Sequence, residues 1–286
     1  QNNVHIMLIM VNFNNMPIIP EHERRYKSCP HAIAAFIVLL YVDNTAMRTN
    51  AIELRDEFLN AVAQDGRIQL LPEGNLEWFL GVRYSYSPDG AITCDQEAYI
   101  STLLHRHGME SCRPELLPLP CKFDIYALPI PEKPDKLLIA SYASLVGEML
   151  YVCINTAPEL SQAMHQLTRF MTKASKAHLS YAKHVLKYLK HHRSRTLRWC
   201  AADVTVPRSP FTIFGFADSS WADDRLGRKS SMYYALFVNG ATFSWKTQLS
   251  SIIATSTAEA ELMSLGVAVQ EVLWARQLAQ ELGFAQ

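Results

Sequence analysis

The chain has 286 residues, of which 49% are hydrophobic and 19% charged, so it can bury a core and form about two domains. The longest apolar run, residues 33–42, is too short to cross a membrane, and residues 4–12 lack the features of a secretory signal. Its 27 basic and 27 acidic residues cancel, which would be unusual for a nucleic-acid-binding protein with evenly spread charge. We therefore expect an intracellular protein of the cytoplasm or nucleus, neither secreted nor membrane-bound. The six cysteines show no metal-binding or disulfide spacing, which predicts reduced thiols.

The first part of the chain predicts mixed helices and strands. Residues 33–42 read as a buried strand, and a helix is predicted after Asn50 with Leu54 and Phe58 facing inward. A strand at residues 76–86 should end in a turn at residues 87–90. The next predicted helix spans residues 96–107, with Gly108 suited to its C-terminal cap.

The middle of the chain contains a connection followed by helices. Residues 111–140 hold six prolines and little periodicity, which predicts an irregular connection. Two helices should follow at about residues 141–156 and 158–172, because Pro158 suits a first helical turn.

Positive charge is concentrated between His165 and Trp199, where nine lysines or arginines and five histidines occur without an acidic residue. Within this stretch Lys183, Lys187 and Lys190 lie together on one helical face, and apolar residues form another face. Such a face could follow the phosphates of nucleic acid with salt-dependent affinity. Taken by itself, it could equally be a solvated helix surface.

Residues 211–286 predict a strand ending at Asp218, a hairpin through Asn239-Gly240, and a long helix that carries Glu261. Two carboxylates brought together from a strand and a helix could bind magnesium for phosphodiester chemistry. The alternative is that Glu261 is an ordinary acid near a helix N-terminus.

The start of the last helix distinguishes two glutamates. Ser256 and Glu259 have capping-box spacing, so Glu259 should reach back to the backbone. Glu261 borders an apolar stripe that we expect to pack on the sheet. The stripe consists of Leu262, Leu265, Val269, Val272 and Leu273.

Three motifs, ADSSWADD at residues 217–224, RKSS at 228–231 and TSTAEAELMSL at 255–265, resemble the ribonuclease H domain of Ty1/copia-type retrotransposon Pol polyproteins. Residues 142–199 are similar to the segment that joins polymerase and nuclease in this family. Residues 79–109 are similar to the stretch after the polymerase active-site hairpin, and LLYVDN at residues 39–44 stands where the family carries YVDD.

For the polymerase, the resemblance implies that Asp43 is a catalytic metal ligand. Asn44 replaces the second carboxylate of YVDD with a neutral amide that binds divalent metal weakly. We find no matching upstream aspartate before residue 36, so we expect no DNA synthesis by this chain alone.

For the nuclease, the resemblance implies that Asp218 and Glu261 are catalytic ligands of Mg²⁺ or Mn²⁺. The family uses further carboxylates, which we expect to fall beyond Gln286, and Asp223 and Asp224 are not expected to replace them. Arg228 and Lys229 could reach a phosphate of an RNA–DNA hybrid or template-primer, although a basic hairpin loop is usually only a turn.

The sequence thus predicts an α+β fold, with a reverse-transcriptase palm/thumb remnant and a connection before a truncated ribonuclease H-like α/β domain. An incomplete domain of this kind would leave an exposed sheet edge through which copies could associate. The expected function is that of a catalytically impaired Pol fragment that binds nucleic acid. The alternative is a non-catalytic or co-opted interaction module. The predicted segments are 1–35, unassigned; 36–110, palm/thumb; 111–140, proline-rich connection; 141–199, basic helical region; and 211–286, ribonuclease H-like.

Overall fold

The computed structural model confirms a mixed α and β chain. It describes residues 7–11, 36–41, 44–49, 52–65, 70, 75–133, 135–200 and 212–282. The chain forms two compact units, one of residues 1–80 with 278–285 and the other of residues 81–277. Each unit is described by itself.

The first unit contains a three-stranded antiparallel sheet and one helix. The sheet has the order β1-β2-β3, and in it Tyr41 pairs with Asn44. Phe36, Val38 and Leu54 are buried together, and the Phe36 and Phe58 rings lie 5.2 Å apart, which confirms the predicted inner face of the helix. The elements are β1 (Met7–Val11), β2 (Phe36–Tyr41), β3 (Asn44–Thr49), α1 (Ile52–Asp65) and β4 (Trp78–Phe79).

The second unit begins with a small antiparallel sheet and a helix, β5 (Val82–Tyr86), β6 (Ile92–Asp95) and α2 (Glu97–Arg106). The predicted turn between the strands is confirmed, because Gly90 has a φ of +82° and Ser87 N donates to Ala91 O at 2.9 Å. Gly108, with a φ of +61°, follows α2 as predicted.

Three helices and two 3₁₀ turns, together with α2, form the main core. The helix expected at residue 141 begins at Lys136 instead, because the Asp135 carboxylate accepts hydrogen bonds from the backbone of Leu137 and Leu138. The helix expected at 158–172 is a 3₁₀ turn followed by a shorter α-helix. The elements are 3₁₀ turns Ile125–Ala127 and Pro158–Leu160, α3 (Lys136–Asn155), α4 (Ser161–Thr168), α5 (Lys176–His191) and β7 (Leu197–Trp199), which pairs with β6.

One face of α3 lies at the centre of this core, where Tyr142, Leu145 and Met149 are fully buried. The predicted apolar face of α5 packs against it through Val185 and Leu186. Among the described residues, α3 alone is long and apolar enough to cross a membrane. Length and composition are weak evidence for a span, because the core helix of a globular domain meets the same criteria.

The C-terminal sheet consists of β8 (Phe214–Ser220), β9 (Ser231–Val238) and β10 (Ala241–Leu249) in the order β10-β9-β8. Asn239 and Gly240 both have positive φ, which confirms the predicted hairpin. β8 is an edge strand, since its free side pairs with no other strand in the described part of the chain. At Gly215 a Cβ atom would lie 2.9 Å from Ala235 O, so β8 and β9 require glycine there.

The orientation of the last helix, α6 (Thr257–Glu281), corrects a prediction. Its sheet-facing residues are small and buried, and include Ala260, Ser264 and Ala268. The Ser264 hydroxyl donates to Asp218 O at 2.5 Å and to Tyr233 O at 3.0 Å, and only small side chains allow so close an approach. Val272 is half-buried, and the other four large residues that were expected on the sheet are exposed instead. They are Leu262 (68%), Leu265 (51%), Val269 (46%) and Leu273 (57%).

A buried histidine gives the core a pH-dependent stability. His178 is fully buried at the start of α5, where it forms a capping box with Ser175, and its ring lies 4.6 Å from that of Phe170. Burial, and secondarily the charge of Lys173, lower the pKa of His178. The unfolded chain therefore takes up a proton near pH 6.5 that the folded chain accepts only at a lower pH.

We expect the free energy of unfolding to fall as the pH drops from 7 to 5, and the fall to be smaller in His178→Gln. Glutamine keeps a capping acceptor but does not titrate, and one histidine contributes at most about 1.4 kcal/mol per pH unit. Urea denaturation across this pH range tests the prediction. If the free energy of unfolding fell equally with pH in the two proteins, His178 would make no contribution to the pH dependence. Burial also lowers the pKa of His165, so the stability of the variant should still depend on pH to some extent.

Candidate functional site

Asp218 lies in β8, directly opposite Tyr233 of β9, and its side chain is exposed. Because side chains alternate along a strand, Asp218 shares one face of the sheet with Phe216 and Tyr233. Burial raises the pKa of Tyr233, whose hydroxyl donates to Ser220 Oγ at 3.3 Å. This face borders an open pocket of about 290 Å³. The other side chains that line the pocket include Glu159, Gln162, Trp245 and Thr247.

The two glutamates near the N-terminus of α6, Glu259 and Glu261, have different contacts. The Glu259 carboxylate accepts hydrogen bonds from Thr255 N at 2.6 Å and Thr255 Oγ1 at 2.7 Å, which lower its pKa. Ser256 Oγ accepts from Glu259 N at 3.2 Å, so Glu259 serves the helix cap as predicted. Glu261 is exposed and makes no hydrogen bond or ion pair to another residue in the described ranges.

Ser264 connects the strand of Asp218 to the helix of Glu261. Glu261 lies one helical turn before Ser264, whose hydroxyl contacts the Asp218 carbonyl, so the two carboxylates belong to adjoining backbone segments. The side chain of Asp218 nevertheless lies on the face of Tyr233, which hydrogen-bonds Gln162 of α4. The helix α6 covers the opposite face, where Glu271 accepts from Ser244 at 2.9 Å.

The acidic residues after β8 have structural contacts. Asp223 accepts hydrogen bonds from Ser231 N at 2.8 Å and from Ser231 Oγ at 2.6 Å. Asp224 is buried and forms an ion pair with Arg169 at 2.6 Å and a hydrogen bond with the Tyr126 hydroxyl at 2.8 Å. Both aspartates are thus engaged by other residues of the chain.

The charge state of Asp224 follows from these partners. Burial alone would raise its pKa, but the hydrogen bond from Tyr126 and the charge of Arg169 outweigh this effect and lower it. The carboxylate also accepts from Leu226 N and Gly227 N, so it organises the loop between β8 and β9. This network was not predicted, because Tyr126 is 98 positions from Asp224 along the chain.

The basic residues of this loop lie at the surface. Arg228 is exposed, has a φ of +56°, and donates its backbone N–H to Asp224 O at 2.7 Å. Lys229 is half-buried, and its carbonyl accepts from Asp224 N. The guanidinium of Arg228 has no ion-pair partner in the part of the chain that the structure describes, so it is available to an anion.

The basic face of α5 is partly used within the chain. Lys183 is exposed and Lys187 is half-buried, but the Lys190 ammonium donates to the carbonyls of Glu110 and Cys112, both at 2.6 Å. Lys190 therefore anchors the segment that follows α2. This leaves Lys183 as the most accessible of the three predicted phosphate-binding lysines.

The predicted polymerase residue Asp43 lies outside the described residues. Asn44 begins β3, but the structure does not describe its side chain. No group of three or more His, Cys, Asp or Glu side chains that could hold a metal ion occurs among the described residues. Asp218 on β8 and Glu261 on α6 lie on the two elements that the Ser264 hydrogen bond joins.

Comparison with known proteins agrees with the resemblance seen in the motifs. The chain is similar to retrovirus-related Pol polyproteins of Ty1/copia-type transposons, at 25–29% identity over most of its length. It is 29% identical over 194 residues to the Pol polyprotein from transposon TNT 1-94 of Nicotiana tabacum, covering 67% of this chain and 14% of that protein. It is 25% identical over 248 residues to the Pol polyprotein from transposon RE1 of Arabidopsis thaliana, covering 86% and 16%.

A shorter relative is the secreted RxLR effector protein 161 of Plasmopara viticola. The two are 31% identical over 133 residues, which cover 46% of this chain and 89% of the effector. The chain thus spans less than a fifth of the length of the two polyproteins but most of the effector. No protein-family model and no solved structure matches the chain.

Proposed function

We propose that the chain is a nucleic-acid-binding part of a retrotransposon Pol polyprotein whose ancestral activity was reverse transcription with ribonuclease H cleavage of RNA–DNA hybrids. The observation that carries this proposal is the contact between Ser264 and the Asp218 carbonyl. This hydrogen bond holds the turn of α6 that contains Glu261 close to β8, the strand that contains Asp218. Three antiparallel strands followed by a long helix also support a ribonuclease H-like unit for residues 211–286.

Asp218 and Glu261 would be the ligands of Mg²⁺ or Mn²⁺ in this site, which requires the Asp218 side chain to turn toward the face of the sheet that α6 covers. Both carboxylates are exposed and free of ion pairs to described residues, so their oxygens fit a hard divalent cation. A bound ion would lower the pKa of a water molecule and stabilise the leaving oxygen. Arg228, Lys229 and Lys183 would contact phosphates, and these contacts would bind a hybrid irrespective of its sequence.

We further propose that catalysis is impaired. The polymerase site would combine Asp43 with Asn44, whose amide carries no charge to balance a metal ion. At the nuclease site the described residues offer two carboxylates instead of a larger cluster, and Asp218 and α6 lie on opposite faces of the sheet. These observations favour binding over cleavage, and so keep a non-catalytic interaction module as the second candidate.

The test measures binding and cleavage of a labelled RNA–DNA hybrid by the full chain with Mg²⁺ or Mn²⁺. We expect salt-dependent binding that survives Asp218→Asn, while Lys183→Gln with Arg228→Gln weakens it about tenfold at low salt. Any cleavage by the parent chain should fall at least about 100-fold in Asp218→Asn and stay unchanged in Asp56→Asn, an exposed aspartate of α1. A folded chain that binds no hybrid at low salt would contradict the proposal.

A further inference from the structure

The outer face of α6 carries a stripe of large apolar side chains that no described residue covers. Leu262, Leu265, Val269 and Leu273 recur every three or four positions, so they lie along one side of the helix. The opposite side packs on the sheet through Ala260, Ser264 and Ala268, which are all buried. A helix that is apolar on both sides is normally buried on both, so the outer stripe calls for a partner surface.

The two ends of this outer stripe carry opposite charges. Glu261 adjoins Leu262 at its N-terminal end, and Arg276 follows Leu273 at its C-terminal end. Neither residue forms an ion pair with another residue of the described chain. Between them the stripe itself is uncharged. The surface is therefore complementary to a copy of itself turned end to end, because this places each Glu261 beside the Arg276 of the other copy.

We propose that the outer stripe is a homodimer interface in which the α6 helices of two copies pack antiparallel. The two Val269 side chains would meet at the two-fold axis, and the leucines on either side would interdigitate as ridges into grooves. The charged pairs at the two ends would fix the antiparallel direction. This inference does not depend on cleavage or on nucleic-acid binding by the chain.

The size of the stripe sets the strength of the dimer. Four exposed side chains of this kind offer roughly 400 Å² per copy, about half the area of a standard interface. The dimer should therefore be reversible, with a dissociation constant on the order of 10 µM. Pairing would also engage the Glu261 carboxylate, so dimerisation and metal binding at Glu261 would oppose each other.

Sedimentation velocity of the full chain from about 1 to 100 µM tests the proposal over the relevant range of affinity. We expect a concentration-dependent dimer, and a dissociation constant about 100-fold larger for Val269→Glu, which places two like charges together at the axis. The matched control is Leu137→Glu, which introduces the same charge at an 83% exposed leucine of α3 and should leave the dimer unchanged. Circular dichroism of each variant establishes that it is folded.

A charge exchange tests the antiparallel direction. Arg276→Glu should weaken the dimer about tenfold, and the double variant Glu261→Lys with Arg276→Glu should restore it to within about threefold. A parent chain that stays monomeric at the highest concentration, or a dimer that survives Val269→Glu, would overturn the homodimer. Failure of the double variant to restore the dimer would overturn the antiparallel arrangement. The homodimer would also be overturned if the chain stayed monomeric and a different segment of a Pol polyprotein bound the stripe.

Discussion

Replacing Asp224 with alanine should lower the free energy of unfolding of the second unit by about 4 kcal/mol, because it leaves the Arg169 guanidinium without its carboxylate. The two side chains are largely shielded from water, with exposed fractions of 6% for Asp224 and 17% for Arg169. The substitution also removes the acceptor of the Tyr126 hydroxyl and of two loop amides. Urea denaturation at pH 7 measures the loss.

Two further variants separate the causes of this loss. The double variant Arg169→Met with Asp224→Ala should be less destabilised than Asp224→Ala alone, because it leaves no unpaired buried charge. Arg193→Ala breaks the exposed pair with Glu97 and should cost less than about 1 kcal/mol. If Asp224→Ala cost no more than Arg193→Ala, the buried ion pair would not contribute to stability.

Acid should weaken the Asp224 interaction only at low pH. Its pKa is lowered in the folded chain, so its contribution is fully present above the unfolded value near 3.9 and is lost as the pH falls through the folded value. The loss of stability that we expect between pH 7 and 5 should therefore come from His165, His178 and His192, whose pKa values are lowered in the folded chain. The two pH ranges distinguish the two kinds of group in one titration.

Phe170→Ala should also destabilise the second unit by about 4 kcal/mol, since it removes a large side chain from a site that neighbouring residues cannot refill. The Phe170 ring is 1% exposed and lies 4.6 Å from His178 and 5.8 Å from Tyr126, measured between ring centroids. Chemical denaturation gives the change in the free energy of unfolding when the dependence of that free energy on denaturant concentration is the same for both proteins.

The same substitution at Phe216, which is 68% exposed on β8, is the control and should change stability by less than about 0.5 kcal/mol. Equal losses at the two positions would mean that burial in the structure does not determine the cost. Because Tyr126 contacts both Phe170 and Asp224, Phe170→Ala and Asp224→Ala should not be additive.

The parts of the fold that the sequence predicted well depend on local chemistry. Asn239-Gly240 specified its hairpin and Gly108 followed its helix, because positive φ angles restrict which residues can occupy those positions. The start of α3 was placed five residues late. Its cap, Asp135, lies within a stretch whose prolines indicated an irregular connection.

The errors and omissions concern contacts between distant residues. Periodicity located the stripe of large apolar residues on α6 but could not show that it faces outward while small residues pack on the sheet. Lys190 looked like a phosphate ligand, yet its ammonium bonds carbonyls about 80 positions away. The Asp224 network was missed for the same reason, because charge spacing along the chain carries no information on which pairs meet in space.

The hydrogen bonds between the C-terminal sheet and the helices before it bear on how the protein can be divided for experiment. Trp245 Nε1 donates to the Cys153 carbonyl of α3 at 3.0 Å, and His165 of α4 bonds Ser231 at 3.1 Å. These contacts cross the boundary that the sequence suggests at residue 211. A fragment cut there would expose the sheet face that α4 covers, so expression trials of the C-terminal sheet should keep residues 81–277 together.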